Sequence, residues 1–368
     1  MNDMGNRRHW LKQAGLAVAA LGLDPFSSFS DPPKRVLINP DDDWIHLNAN
    51  ENPYGPSPLA CAAMKGAVDM SNRYQWDLIN DLVKSIASFN QLSEDHVLVR
   101  PGSIEVLDLA VKMFAQKKGS FVIADPTFAP WSSLAERSGL KKIIVPLNPA
   151  KAVDLTAMLS AIRSDTRFVH ICNPNNPTGT ICDHKELTDL IKEVAKKTWA
   201  LVDEAYIDYS GEDSLKELVN NNEKLIITRT FSKIYSMAGA RVGYAIAHPD
   251  TISTLRSLTT WTNGGIHAAG LAGAIASLHD IDFTANSFSW NSRARNYTSE
   301  ALEKIYVPCI PSYSNFIYFS LADYQTDFFE KLRSAKIIGT RIFEENGKWS
   351  RITVGTIEEM QKFIAAVS

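Results

Sequence analysis

The sequence predicts an α/β protein, with a large domain built on a mostly parallel sheet covered by helices and a smaller α+β domain beside it. Three observations carry this. Between Val97 and about Ala247, short β-branched runs alternate with stretches of helical spacing. After about residue 250 that alternation gives way to long helical patterns and then to a few short strands. At 368 residues, with 45 % apolar and 21 % charged side chains, the chain has the composition of an ordinary soluble globular protein and is long enough for two domains.

Residues 1–30 stand apart from this pattern. Asn6-Arg7-Arg8-His9-Trp10-Leu11-Lys12 precedes a moderately apolar run from Ala14 to Leu23 and then a Ser-rich stretch, with Ser28 and Ser30 as small residues ahead of a cut. The segment resembles a twin-arginine export signal, and its apolar run is too short for a stable membrane span. The expectation is export to the periplasm; the alternative is a cytoplasmic protein with a disordered N-terminus.

In the body of the chain, Val97–Val99, Phe121–Ala124, Ile143–Val145, Phe168–Cys172, Leu201–Asp203, Leu225–Arg229 and Val242–Ala247 read as strands. Ile104, Leu107, Val111 and Phe114 share one face of a helix over 104–115, and 187–194 repeats the pattern. Later strands are expected near 315–321, 339–343 and 351–354, with a last helix from about Thr356. The predicted division is a large domain over 75–270 and a small domain made of 31–74 and 271–368. No flexible linker separates them, so they should share a packed interface of the kind that holds ligands.

Charge and cysteine usage narrow the partners. The net charge is −3 and no Lys/Arg-rich run follows the first dozen residues, so no nucleic-acid footprint is expected, and small molecules are the expected ligands. Cys61, Cys172, Cys182 and Cys309 are widely spaced and form no C-x-x-C pair, which argues against a zinc or redox site. Walker A, dinucleotide-glycine and H-E-x-x-H motifs are missing from the sequence.

The chemistry concentrates at strand ends. Thr230-Phe231-Ser232-Lys233 is followed by Arg241 in Ala-Gly-Ala-Arg-Val-Gly-Tyr. A lysine between hydroxyls suits a Schiff base with an aldehyde cofactor, and the hydroxyls with a nearby arginine suit a phosphate dianion. Asp203 and Tyr206 close another strand, where an open parallel sheet places its ligand crevice. Asp203 either pairs with a protonated pyridine nitrogen or caps the next helix; Tyr206 suits a phenolic ring oxygen. Asn173-Pro174-Asn175-Asn176-Pro177-Thr178-Gly179 is a fixed turn after a third strand, and Phe128 follows a fourth in Asp125-Pro126-Thr127-Phe128. Pro101-Gly102-Ser103-Ile104-Glu105 turns from a strand into a helix whose first N–H groups suit an anion, or in which Ser103 is an N-cap.

In this order and at these separations, the motifs resemble the class I/II aminotransferases of the aspartate aminotransferase fold type I, and most of all their histidinol-phosphate aminotransferase subfamily. Leu47-Asn48-Ala49-Asn50-Glu51-Asn52-Pro53-Tyr54-Gly55-Pro56 and Arg351-Ile352-Thr353-Val354-Gly355-Thr356 are similar to that subfamily's two end signatures. The resemblance implies pyridoxal 5′-phosphate (PLP), with Lys233 as Schiff-base lysine, Asp203 on the pyridine nitrogen, Tyr206 and Asn176 on the phenolic oxygen, and Phe128 on the ring. It implies Gly102, Ser103, Ile104, Thr230, Ser232 and Arg241 at the phosphate, joined by Tyr74 from a neighbouring subunit, hence a homodimer with shared active sites. Arg351, Arg341, Tyr54 and Asn315 become the substrate contacts, for an amino donor and a 2-oxo acid such as 2-oxoglutarate. A PLP-dependent decarboxylase similar to threonine-phosphate decarboxylase is the alternative, and a non-enzymatic PLP-binding module a further one. The chain departs from the family at Gln75-Trp76, at Ile104, and in the short loop carrying Trp349. Those departures and the export-like leader together suggest an amino compound other than histidinol phosphate.

Overall fold

The computed structural model describes residues 43–260 and 265–368. The export-like leader lies outside the described residues. The seven expected strands form one sheet: β2 (Val97–Arg100), β3 (Gly119–Asp125), β4 (Leu140–Pro146), β5 (Thr166–Cys172), β6 (Trp199–Asp203), β7 (Leu225–Thr230) and β8 (Gly243–Ala247) lie in the order β2-β8-β7-β6-β5-β3-β4. Pairing is parallel from β7 through β6, β5 and β3 to β4, and only β8 runs antiparallel to its neighbours.

Side-chain alternation along these strands feeds two separate cores. Val122, Val169, Val202 and Ile227 point to one face, which is covered by Leu82, Leu187, Ile191 and Leu271. Phe121, Phe168, Leu201 and Ile226 point to the other, under Leu107, Val111 and Leu255. In chain order the helices are α1 (Pro58–Ala67), α2 (Trp76–Asn90), α3 (Ser103–Phe114), α4 (Ser132–Arg137), α5 (Leu155–Ser160), α6 (His184–Lys197), α7 (Pro249–Ser257) and α8 (Ala268–His279). Each α3 apolar residue at helical spacing is therefore spent on the sheet, as its pattern predicts. Leu271, Ala274 and Leu278 of α8 pack into the same core as Leu82 and Leu187.

The small domain holds α9 (Ile281–Lys304), α10 (Phe328–Ser334) and α11 (Ile357–Val367) against a four-stranded antiparallel sheet in the order β12-β13-β10-β9. These strands are β9 (Cys309–Ile310), β10 (Phe316–Ser320), β12 (Ile342–Glu344) and β13 (Trp349–Thr353). Ile317, Phe319 and Ile352 enter the small-domain core, which leaves Phe316, Tyr318 and Arg351 on the opposite face. The strand expected over 339–343 is two pieces, because β11 (Ile337–Ile338) pairs instead with β1 (Ile45–His46) and β12 begins later. Helix α11 starts at a full capping box between Thr356 and Glu359. Among the described residues, no helix is long and apolar enough to cross a membrane.

Candidate active site

The candidate side chains gather where the parallel strands end. Asp203 is the last residue of β6, Thr230 the last of β7, and Lys233 follows directly in the turn. Asp203 is 1 % exposed, and its Oδ1 accepts from the Thr228 hydroxyl at 2.9 Å and the Ala205 N–H at 3.2 Å. Burial pushes its carboxyl up to about 6, against those hydrogen bonds and the Lys233 charge, which pull it down. The helix-capping alternative does not describe this side chain, whose hydrogen bonds run to the neighbouring strand and the following turn.

Lys233 is only partly exposed, with Nζ 5.4 Å over the Tyr206 ring. It donates to the Asn50 carbonyl at 3.0 Å and the Ala49 carbonyl at 3.3 Å. Burial, followed by the positive charge of Arg351, brings its amine down to about 8. That lowering raises the neutral, nucleophilic fraction of the amine near physiological pH well above that of a solvated lysine, although the protonated form still predominates.

Tyr206 is held at its hydroxyl by two amides: Asn50 Nδ2 donates at 3.0 Å and Asn176 Nδ2 at 3.3 Å. With both approaches taken by donors, the hydroxyl's own proton is left for another acceptor. Its ring stands edge-on to Phe316 from the small domain, centroids 5.1 Å apart. Arg351 donates to Asn176 Oδ1 and, at 3.0 Å, to the Asn48 carbonyl. Its guanidinium carbon lies 5.2 Å from both the Phe316 and Phe343 ring centres. Arg351 Nε is buried with no hydrogen-bond partner among the described residues, and so is Asn315 Oδ1. Asn315 otherwise donates to the carbonyls of Asn50 and Glu51 at 3.0 and 3.2 Å.

Asn50 is the residue that sequence reasoning passed over. It is 2 % exposed and left-handed at φ 53°, and it joins Lys233, Tyr206, Asn315 and Thr353. The available signal was its place in the opening Asn-rich motif, which is also where a short amide tolerates positive φ.

An anion cradle lies alongside. Gly102 precedes α3 with φ 83°, and a Cβ there would sit 2.3 Å from Arg241 Nη2. The first-turn N–H groups of α3, at Ser103 and Ile104, have no intrahelical acceptors. Ser103 itself is inside the helix, with Gly102 at the N-cap position. Thr230 donates to Ser232 Oγ at 2.9 Å, and Arg241 is left-handed at φ 53° with Nη1 on the Ala238 carbonyl at 3.0 Å. Hydroxyls, a guanidinium and a helix start around a glycine suit a phosphate group.

The remaining expected residues are placed less centrally. Phe128 is half-buried against the core beneath α3. Tyr54 packs on Trp290, centroids 4.6 Å apart. Arg341 is exposed, 5.4 Å from the Phe343 ring centre. Tyr74 is 70 % exposed and stacks on Trp76, centroids 5.3 Å apart.

The family model for aminotransferase class I and II matches residues 42–367. A histidinol-phosphate aminotransferase of Moorella thermoacetica is 32 % identical over 330 residues, covering 88 % of this chain and 85 % of the relative. The structure of histidinol-phosphate aminotransferase from Sinorhizobium meliloti in complex with pyridoxal-5′-phosphate superposes with a TM-score of 0.82 at 24 % identity, covering 88 % of this chain and 89 % of that one. L-threonine-O-3-phosphate decarboxylase from Porphyromonas gingivalis shares the fold, with a TM-score of 0.75 at 20 % identity over 88 % of this chain and 98 % of that one.

Proposed function

The chain belongs to the aminotransferase class I and II family, and from that premise we propose a PLP-dependent transaminase that moves an amino group from an amino acid or amino-phosphate donor to a 2-oxo acid such as 2-oxoglutarate. The carrying observation is the position of Lys233, a partly buried amine at the strand ends, set between the Asp203 carboxylate, the Tyr206 phenol and the Gly102–Arg241 cradle.

The residues fit the cofactor. Arg241, Thr230, Ser232 and the N–H groups of Ser103 and Ile104 would hold its phosphate, Asp203 its pyridine nitrogen, and Tyr206 with Asn176 its phenolic oxygen, while Phe128 would lie on the ring. When bound, PLP supplies an aldehyde for the substrate amine and a ring that draws electron density from the substrate carbon. Asp203, ionised above about pH 6, would hold the charge of a protonated ring nitrogen. Lys233 Nζ, whose lowered pKa enlarges its neutral fraction, would bind the aldehyde carbon and would carry a proton as general base and acid. Arg351 would present its guanidinium to a substrate carboxylate, the planar fork suited to a bidentate contact. Arg341, Tyr54 and Asn315 line the same approach in this reading.

Tyr74 belongs in this reading to a homodimer with shared sites, reaching the phosphate held by the neighbouring subunit. Leu59, Val68, Met70, Tyr74 and Trp76 are all exposed on one short stretch of chain, which supports a subunit contact there. The Arg7-Arg8 leader supports export to the periplasm, tested by sequencing the N-terminus of protein from that fraction; an uncut cytoplasmic chain overturns it.

The test is the visible absorbance of the purified protein with PLP, before and after histidinol phosphate, aromatic amino acids and glutamate. Conversion of the lysine-bound band to the pyridoxamine form by one donor is the expected result and names the substrate class. Carbon dioxide release without that conversion points to decarboxylation, and no visible band at all refutes the cofactor assignment.

A further inference from the structure

The β12–β13 hairpin that carries Arg351 is tied to the large domain by a knot of side chains outside the site just described. Lys151 comes from the turn after β4, and Glu344 and Trp349 face one another across the hairpin. Lys151 Nζ donates to both Glu344 carboxylate oxygens, at 3.0 and 2.8 Å, and stands 4.9 Å over the Trp349 ring. The other partner of Trp349 is Tyr318, stacked at 5.3 Å and 17°, whose hydroxyl donates to Glu344 Oε1 at 2.7 Å. Tyr318 is in turn the strand partner of Arg351.

The large-domain end is equally fixed. The Lys151 backbone is left-handed at φ 59°, its N–H meets the Asn148 carbonyl at 2.9 Å, and its carbonyl accepts from the Thr180 hydroxyl at 2.9 Å. Thr180 closes the loop that presents Asn176, because the Asn175 N–H meets its carbonyl at 2.8 Å. Arg351 then returns to Asn176 Oδ1. The contacts form a closed circuit: Asn176 loop, Lys151, Glu344, hairpin, Arg351, Asn176. Both charged side chains are partly shielded, at 19 % and 24 % exposure, so the pair is worth more than a solvated surface bridge.

We propose that Lys151 and Glu344 form an interdomain latch that sets where Arg351 stands, making both of them positioning residues for the substrate carboxylate. This rests on the reading of Arg351 given above. Without the latch, the hairpin keeps its strand pairing to β10 but loses its charged tie to the large domain, and Arg351 no longer meets a carboxylate at one fixed distance from Lys233.

The test uses the holoenzyme in its pyridoxamine-phosphate form, titrated with 2-oxoglutarate and followed in the visible, which yields a dissociation constant and a limiting rate. Lys151→Met and Glu344→Gln are each expected to weaken binding about tenfold. Their limiting rates and resting spectra should stay within about twofold, and the charge-exchanged Lys151→Glu/Glu344→Lys protein should recover most of the binding. Single variants that bind like the parent, or an exchanged pair no better than the singles, overturn the latch. Arg351→Gln separates the two ideas: weakened binding there with unaffected latch variants sinks the latch alone, whereas unchanged binding sinks the reading of Arg351 and the latch with it.

Discussion

Replacing Asp203 by Asn should stabilise the cofactor-free protein while disabling it. The folded chain keeps Asp203 at 1 % exposure with its carboxyl pushed from 3.8 up to about 6 by burial. Between those two values the folded protein holds a proton that the unfolded chain has already released, so stability falls as pH rises through the window and the deficit is complete above about 6. The rise corresponds to about 3 kcal/mol at roughly 1.4 kcal/mol per pH unit, with no discount for solvent screening at so buried a group. Asn retains the oxygen that accepts from Thr228 and Ala205. With an unfolding entropy of about 2.1 cal/mol/K per residue, the gain amounts to about 4 °C in Tm. Thermal unfolding of PLP-free protein at pH 8 and pH 4.5 checks it: Asp203→Asn should unfold higher at pH 8 and lose most of that advantage at pH 4.5. Turnover with PLP should collapse, since an amide cannot keep the ring nitrogen charged. Equal Tm values at pH 8, or an advantage that persists at pH 4.5, would refute burial as the source of the cost.

Gly102→Ala places a methyl group 2.3 Å from Arg241 Nη2, so the guanidinium must leave the cradle; PLP affinity by fluorescence titration should fall about tenfold or more, and an unchanged Kd removes Arg241 from the phosphate site. Asn50→Ala deletes the 3.0 Å donor to Tyr206 and should lower kcat about tenfold while the visible cofactor band remains, at the scale of one buried hydrogen bond; unchanged kcat would mean that Asn176 suffices. Mixing Tyr74→Ala with Lys233→Ala subunits, each inactive alone, should restore about a quarter of the parental sites in statistical hybrids; no recovery would place Tyr74 outside any shared site.

The sheet and most of the lysine's neighbours were legible because both follow one rule. Parallel strands buried on both faces write themselves as runs such as Ile226-Ile227, and such sheets offer ligands their carboxyl ends, where Asp203, Thr230 and Lys233 stand. The core that helix α8 joins was not legible, because Ala-Gly-Leu-Ala-Gly-Ala-Ile packs through small residues and helical spacing does not say which core a helix joins. Asn50 carries no periodicity at all; its importance comes from a left-handed turn that aims carbonyl and amide at two different catalytic groups. Lys151 and Glu344 lie 193 residues apart, and neither has a motif to announce it. Trp349 stood out only as a departure, and its role becomes visible once Tyr318 and Lys151 are seen on it.

The stretch ahead of α1 separates making the fold from making the enzyme. Asn48 and Ala49 lend carbonyls to Arg351 and Lys233, Asn50 steers Tyr206, and Asn52 donates to the Ile234 carbonyl at 3.0 Å, yet none of these residues belongs to the seven-stranded sheet. A chain trimmed to Pro58 keeps every strand of that sheet and the lysine itself, and loses the acceptors that hold the amine in place. Any processing of the N-terminus is thus bounded from inside: a cut a dozen residues past Ile45 removes the Asn48, Ala49 and Asn50 carbonyls and untethers Arg351 and the lysine.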